Sequence, residues 1–224
     1  MGTLYVVATP IGNLEDLSPR ALRVLKEVDL ILAEDTRVTK KLMSHFGIGT
    51  RITSYHEYTA PGKIRALVAE LETKNLALVS DAGTPGISDP GARFVAELIS
   101  ETRGRGKVVA IPGPSAVPAL LSISGLYADA YVFQGFPPHK KGRMKFWKQI
   151  ADEERTSVFY ESPHRVEKAM VELASVCEAD RRIVIGRELT KMFESVRFGT
   201  MKNAVELLAE EPIKGEYVIA VEGK

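Results

Sequence analysis

Three stretches in the first half of the chain have residue types suited to cradling a ligand. The apolar run from Leu4 ends in Thr9-Pro10-Ile11-Gly12-Asn13-Leu14, Leu76 to Val79 leads into Ser80 to Gly91, and Lys107 to Ile111 leads into Pro112-Gly113-Pro114-Ser115-Ala116. Glycine allows the backbone to approach a ligand closely, and Asp81 adds a charged acceptor within the longest loop. The G-x-G-x-x-G spacing of dinucleotide sites and the G-x-x-x-x-G-K-[ST] phosphate loop are both missing, so NAD binding and P-loop hydrolysis are disfavoured. A nucleoside with a small charged tail fits such loops. An ordinary set of strand-to-helix connections has the same local pattern.

Two charged groupings could meet a polyanion. Glu34-Asp35-Thr36-Arg37 lies at a predicted strand end, where its carboxylates could equally complement a helix dipole. Lys140, Lys141, Arg143, Lys145 and Lys148 are interleaved with Phe146 and Trp147. Cations for phosphates and rings for unstacked bases are what single-stranded RNA needs. The competing reading is a solvated helix face with Trp147 turned to the core.

The elements that position these residues follow from periodicity. The first half reads as strand and helix repeated five times, the sign of a mostly parallel sheet covered on both faces. Asp89 and Pro90 signal a helix start. The helical pattern fades at Ser122 to Asp129, which places a boundary between domains 1–122 and 129–224. Strands are expected in the second half at 130–134, 157–161, 182–187, 193–198 and 216–221, so that sheet should be more mixed. Ser162-Pro163 reads as a capped helix start, Cys177 as part of the helix that follows, and Val205, Leu207 and Leu208 as a last helix.

Composition excludes several classes. A chain of 224 residues, 45% hydrophobic and 26% charged, folds around a sizeable core. Its net charge of +1 gives no global attraction to nucleic acid, so RNA binding would need a local patch. A lone cysteine suits a reducing cytoplasm, and the four histidines have no ligand spacing, so no metal is expected. No signal peptide fits the start, and Pro118, Gly125 and Asp129 interrupt the longest apolar stretch, so no membrane partner is expected.

The loops already quoted, with Ala33-Glu34-Asp35-Thr36-Arg37, Gly135-Phe136-Pro137-Pro138, Tyr160-Glu161-Ser162-Pro163-His164-Arg165 and Arg187-Glu188-Leu189-Thr190-Lys191, occur in one order along nearly the whole chain. Together they resemble the ribosomal RNA small subunit methyltransferase I family, a branch of the tetrapyrrole methylase fold. The resemblance implies two α/β domains, mostly parallel in the first sheet and mixed in the second, with S-adenosyl-L-methionine in the cleft between them. It implies 2′-O-ribose methylation of a cytidine in 16S ribosomal RNA, within the assembled subunit, by a cytoplasmic homodimer. Cofactor contacts would come from Pro10, Gly12, Asp81, Gly83, Thr84, Ser115 and Ala116, and from Gln134, Gly135, Phe136, Tyr160 and Ser162. Many members continue further at the C-terminus, so RNA contacts made there are expected to be missing.

A ribose hydroxyl is a weak nucleophile until it loses its proton, and a base typically contributes about 100- to 10,000-fold. Glu161, Glu188 and Lys191 are the candidates, each equally suited to a salt bridge, and Lys191 would need a lowered pKa. Arg37, Lys40, Arg165, Lys140, Lys141 and Arg143 are the expected RNA contacts. Two other functions stay open: methylation of a tetrapyrrole or other small molecule on the same fold, and a non-catalytic RNA or ribosome-assembly module.

Overall fold

The computed structural model describes residues 1–209, 212 and 214–224. It divides into two compact units, Met1–Ser115 and Ala116–Lys224. The first contains strands β1 (Thr3–Val7), β2 (Leu30–Ala33), β3 (Ile52–Ser54), β4 (Leu76–Val79) and β5 (Lys107–Ile111). Between them run helices α1 (Pro19–Glu27), α2 (Thr36–Phe46), α3 (Pro61–Glu70) and α4 (Ala92–Glu101). The strands are all parallel, in the order β3-β2-β4-β1-β5.

The side chains of β4 show why such a strand reads as an unbroken apolar run. Ala77 and Val79 join Val7, Ile31 and Ala33 in one cluster with Ala21, Val24 and Leu25 of α1 and Met43 of α2. Leu76 and Leu78 point to the other face, with Leu4, Leu32, Ile64 and Leu67 of α3, and Phe94 and Leu98 of α4. Both faces are covered, so alternation brings no polar residue. Ser18 caps α1 through its side chain, with Pro19 in the first turn.

The second unit opens with α5 (Ala116–Ser124), followed by β6 (Tyr131–Phe133), α6 (Arg143–Asp152), β7 (Thr156–Glu161) and α7 (Val166–Ala174). Strands β8 (Arg182–Arg187), β9 (Ser195–Thr200) and β10 (Tyr217–Val221) complete it. Their order is β6-β7-β10-β8-β9, with β6 and β7 parallel and every other pair antiparallel. Phe146, Trp147 and Ile150 of α6 and Val166, Met170 and Leu173 of α7 pack on Phe159, Ile183, Ile185 and Ile219 from the sheet.

Several local expectations are corrected. The division falls before α5 rather than at 122–129, because α5 packs on β10 and Leu120 lies where a side chain on Gly186 would sit, 2.9 Å from its Cβ position. Helix α4 starts after Gly91, not at Pro90, since the loop folds back so tightly that a Cβ at Gly91 would stand 3.0 Å from the Gly86 nitrogen. The helix after Ser162 begins only at Val166, and Arg165 at its start makes no side-chain cap. Cys177 lies beyond α7, half-buried, and burial pushes its thiol pKa up. Residues 201–208 form two short 3-10 turns, Met201–Asn203 and Glu206–Leu208, instead of a helix.

Among the described residues no helix is long and apolar enough to cross a membrane. Phe94 is fully buried and meets Tyr55 edge to face at 5.2 Å. Phe94→Ala should destabilise the first unit by about 3–5 kcal/mol, read as a lowered midpoint in urea denaturation.

Candidate functional site

Strand order puts a topological switch point inside the first sheet, between β4 and β1. Neighbouring strands β1 and β4 send their chains to opposite faces, since α1 packs in one core cluster and α4 in the other. Ligands of open α/β sheets bind at such a switch point, beyond the carboxyl ends of the strands. The two loops that leave there are tied together: the Thr9 amide donates to the Gly83 carbonyl (2.9 Å) and the Gly83 amide to the Thr9 carbonyl (3.0 Å). The Thr9 hydroxyl donates to the Ser80 carbonyl (3.2 Å), and the Thr84 hydroxyl to the Pro114 carbonyl (3.3 Å), which joins the loop after β5 to the same group.

Gly83 has φ +80°, a conformation that side-chain residues rarely adopt. A Cβ there would sit 3.5 Å from Ile11 Cγ2 and 3.8 Å from the Pro114 oxygen, in contact with both neighbouring loops. Gly113 approaches Ala8 more closely, at 3.0 Å for an added Cβ. Pro10, Gly83, Thr84 and Ser115 are therefore brought together, with Gly12 and Asp81 exposed at the margin.

Asp81 links this loop to the end of β2. Its Oδ1 accepts the Asp35 amide (2.9 Å), while its own amide donates to Glu34 Oε2 (3.4 Å). Burial raises the Glu34 pKa, and the charges of Asp81, Asp35 and Glu57 add to it against the bond from the Asp81 amide. Asp35 is the reverse case. The Arg37 guanidinium grips both of its oxygens (2.6–3.1 Å) and its pKa falls to about 2. Arg37 is thus exposed but engaged with Asp35, and Lys40 is exposed on α2.

In the second unit, the Gln134 amide donates to the Val158 carbonyl (2.8 Å) and the Tyr160 amide to the Gly135 carbonyl (2.9 Å). The Tyr160 ring lies 5.3 Å from that of Phe136 and 5.0 Å from that of Phe133. Gln134, Gly135, Phe136, Tyr160 and Ser162 consequently form one neighbourhood at the ends of β6 and β7. Ala116 is the first residue of α5.

The three proton-acceptor candidates do not form one group. Glu161 is buried with both oxygens engaged: Oε1 accepts the Ser162 amide (2.8 Å) and Arg165 Nη2 (2.9 Å), and Oε2 accepts Arg143 Nη1 (3.3 Å). Its side chain is wholly buried under two guanidiniums, so a ribose hydroxyl has no open approach to it, and this position corrects the expectation for Glu161. Glu188 and Lys191 meet at 2.8 Å, and Lys191 Nζ also reaches Glu216 Oε2 (2.9 Å). Burial opposes charge on Lys191, yet the bonds to Glu188 and Glu216 outweigh it and raise its pKa, opposite to what a lysine base requires. Burial likewise pushes the Glu188 carboxyl up, and its bonds from Lys191 and the Glu216 amide overcome that and hold it low. Glu188 and Thr190 both have positive φ, +50° and +67°. For β-branched Thr190 this is costly backbone that only its surroundings hold in place.

The basic run is split by helix geometry. Lys140, Lys141, Lys145 and Lys148 are exposed, whereas Arg143 faces inward with Phe146 and Trp147 and is 5% exposed. Its expected RNA contact is corrected by that burial. Arg165 is partly exposed and bonded to Ser162 Oγ (3.0 Å) and Glu161. Sequence reasoning missed Glu172 and Glu216, the acidic partners of Arg143 and Lys191; only the i,i+4 spacing of Lys168 and Glu172 hinted at either. Among the described residues no group of three or more His, Cys, Asp or Glu could hold a metal ion.

A parallel sheet with its loops at a switch point, followed by a mixed sheet, is the architecture of a known methylase class. The family model for Tetrapyrrole (Corrin/Porphyrin) Methylases matches residues 3–205. The uroporphyrin-III-C-methyltransferase of Thermus thermophilus superposes with a TM-score of 0.62 at 18% identity, covering 99% of this chain and 94% of the other. The methyltransferase CobJ superposes at 0.69 and 18% identity, covering 100% and 95%. Sequence similarity is much higher to proteins named ribosomal RNA small subunit methyltransferase I. That of Synechocystis sp. is 45% identical over 225 residues, 100% of this chain and 80% of the relative. That of Halalkalibacterium halodurans is 46% identical over 224 residues, 99% and 76%. The chain belongs to the ribosomal RNA small subunit methyltransferase I family, within the tetrapyrrole methylases, and is a methyltransferase.

The raised pKa of Glu34 carries a signed consequence. Its carboxylate is harder to ionise in the folded chain, so the stability it contributes is present below the unfolded pKa and lost as pH rises through the folded one. Glu34→Gln should therefore raise the melting temperature at pH 7, and the gap to the parent protein should close toward pH 4. A gap of the same size at both values would contradict this origin.

Proposed function

We propose that the protein transfers a methyl group from S-adenosyl-L-methionine to small-subunit ribosomal RNA, at the 2′-hydroxyl of a cytidine in 16S RNA. The observation that carries this reading is the contrast between 45–46% identity to proteins named for ribosomal RNA and 18% to the uroporphyrin-III-C-methyltransferase and CobJ structures of the same fold. The substrate is read as RNA within the assembled subunit, and the working form as a cytoplasmic homodimer.

The residues fit the donor. Pro10, Gly83, Thr84 and Ser115 offer backbone groups on loops held together by the Thr9–Gly83 and Thr84–Pro114 bonds, with Gly12 at the exposed margin, and Asp81 supplies a carboxylate. Such a set suits a nucleoside whose tail carries ammonium and sulfonium charge and no phosphate. Ala116, Gln134, Gly135, Phe136, Tyr160 and Ser162 are read as the second unit's donor contacts. When bound, the donor supplies an electrophilic methyl carbon. The chemistry it would supply is in-line transfer of that methyl to the ribose oxygen, and this chain's own residues would align the two reactants and let the hydroxyl proton pass to Glu188 or to water. Holding oxygen and carbon about 3 Å apart and aligned supplies most of the acceleration.

Glu188 is the base candidate that survives, kept ionised at neutral pH by Lys191. A carboxylate held so low is a weak base, so the reaction leans on alignment. Lys140 and Lys141, with Arg37, Lys40 and Arg165, are read as phosphate contacts, joined by exposed Lys145 and Lys148.

The protein should be incubated with methyl-labelled S-adenosylmethionine and, separately, unmethylated small subunits, free ribosomal RNA and tetrapyrrole precursors. Label in RNA, resistant to alkali at one ribose, is expected. Label in a tetrapyrrole alone would replace the substrate, and no label in any fraction would favour a binding module. Asp81→Ala should weaken donor binding by calorimetry far more than it lowers the melting temperature. Replacing Lys140, Lys141 and Lys145 by alanine should weaken RNA binding and lower the slope of log affinity against log salt by about 2, with donor affinity unmoved.

A further inference from the structure

We infer that Arg143 is a positioning residue for the methyl donor, a buried guanidinium that locks the turn after β6 to the turn after β7. The inference rests on the donor reading above, in which Gln134 to Phe136 and Tyr160 to Ser162 hold S-adenosylmethionine. Arg143 opens α6 directly after Gly142, which has φ +86°. Its Nη1 donates to the Pro138 carbonyl (3.2 Å) and to Glu161 Oε2 (3.3 Å), and its Nε donates to Glu172 Oε2 (2.5 Å). Trp147 adds a ring 4.9 Å from the guanidinium carbon and donates its indole N–H to the same Glu172 oxygen (2.8 Å).

Glu161 carries the restraint across. Its Oε1 accepts the Ser162 amide, so the carboxylate that Arg143 holds in turn fixes the backbone just beyond β7. On the other side the Pro138 carbonyl ends the Gly135-Phe136-Pro137-Pro138 turn. The bonds from the Gln134 amide to the Val158 carbonyl and from the Tyr160 amide to the Gly135 carbonyl continue the β6–β7 pairing as far as Gly135, and Arg143 adds a joint beyond it, between Pro138 and Glu161. That joint restrains the part of the turn the strand pairing does not reach.

Packing alone does not account for this arrangement. Phe146, Trp147 and Ile150 already seat α6 in the core, and a buried ion network gives less stability than apolar residues of the same volume. Arg143 Nη2 is buried without a hydrogen-bond partner, which a residue kept for stability would avoid. What the guanidinium offers is a planar fork that reaches a carbonyl and two carboxylates at once. A lysine presents its three donors from one nitrogen on a flexible stem, so it does not hold the three acceptors in a fixed plane.

The test compares Arg143→Lys, Glu161→Gln and Leu173→Ala, the last being a core truncation in α7 that removes apolar packing and none of the hydrogen bonds of the Arg143 network. Donor affinity is read by calorimetry on the full chain, with melting temperature and, on small subunits, kcat and the KM for each substrate. Arg143→Lys and Glu161→Gln should each weaken S-adenosylmethionine binding about tenfold or more, with the KM for RNA unchanged in Arg143→Lys. Leu173→Ala should lower the melting temperature while donor affinity stays within about twofold. Donor affinity unmoved in Arg143→Lys, or weakened equally by Leu173→Ala, would overturn the inference. So would Glu161→Gln if it abolished kcat at unchanged donor affinity, because that is the signature of a base. Parent protein that bound no S-adenosylmethionine would instead bring down the donor reading, and this inference with it.

Discussion

Two backbone hydrogen bonds between Thr9 and Gly83 hold the arrangement on which the candidate site depends. They join the loops that leave neighbouring strands for opposite faces of the sheet, and without them the crevice between those loops would have no fixed width. Each needs a residue that permits the approach. Gly83 provides a left-handed backbone with no side chain in the enclosed space, and Thr9 is 2% exposed with its hydroxyl satisfied by Ser80. The hydroxyl of Thr84 then carries the restraint to the loop after β5. Rigid strands set the positions, and a few short polar side chains set the spacing.

Charge is managed differently in the two units. At the end of β2 the carboxylates crowd one another, which leaves Glu34 reluctant to ionise while Arg37 draws Asp35 the other way. In the second unit every carboxylate singled out as a base has a cation against it. Glu161 sits under two arginines, and Glu188 shares Lys191 with Glu216. Both carboxylates orient backbone, Glu161 through the Ser162 amide and Glu188 through the Glu216 amide.

Much of the architecture was legible in the residues. The unbroken run Leu76-Ala77-Leu78-Val79 announces a strand covered on both faces, and Ser18-Pro19 announces the start of α1. The order of the motifs identified the family. What stayed hidden depends on contacts between residues far apart in sequence. Arg143 looks like its lysine neighbours until helix geometry turns it inward, toward a glutamate 29 residues further on. The start of α4 is delayed by the proximity of Gly91 to Gly86, which no capping rule records. The boundary before α5 depends on which sheet that helix packs against, and its own sequence is apolar enough for either.

The position of β10 has a consequence for how the chain forms as it is made. The first sheet draws only on residues 3–111, so all its strand partners exist before the second unit has been translated. The second sheet cannot close in this way, because β10, made of Tyr217–Val221, is its middle strand and separates β7 from β8. Until those residues leave the ribosome, β7 and β8 each expose an edge rich in apolar side chains, the condition in which nascent chains aggregate or recruit chaperones. A finished first unit beside an open second one is the intermediate that synthesis must pass through.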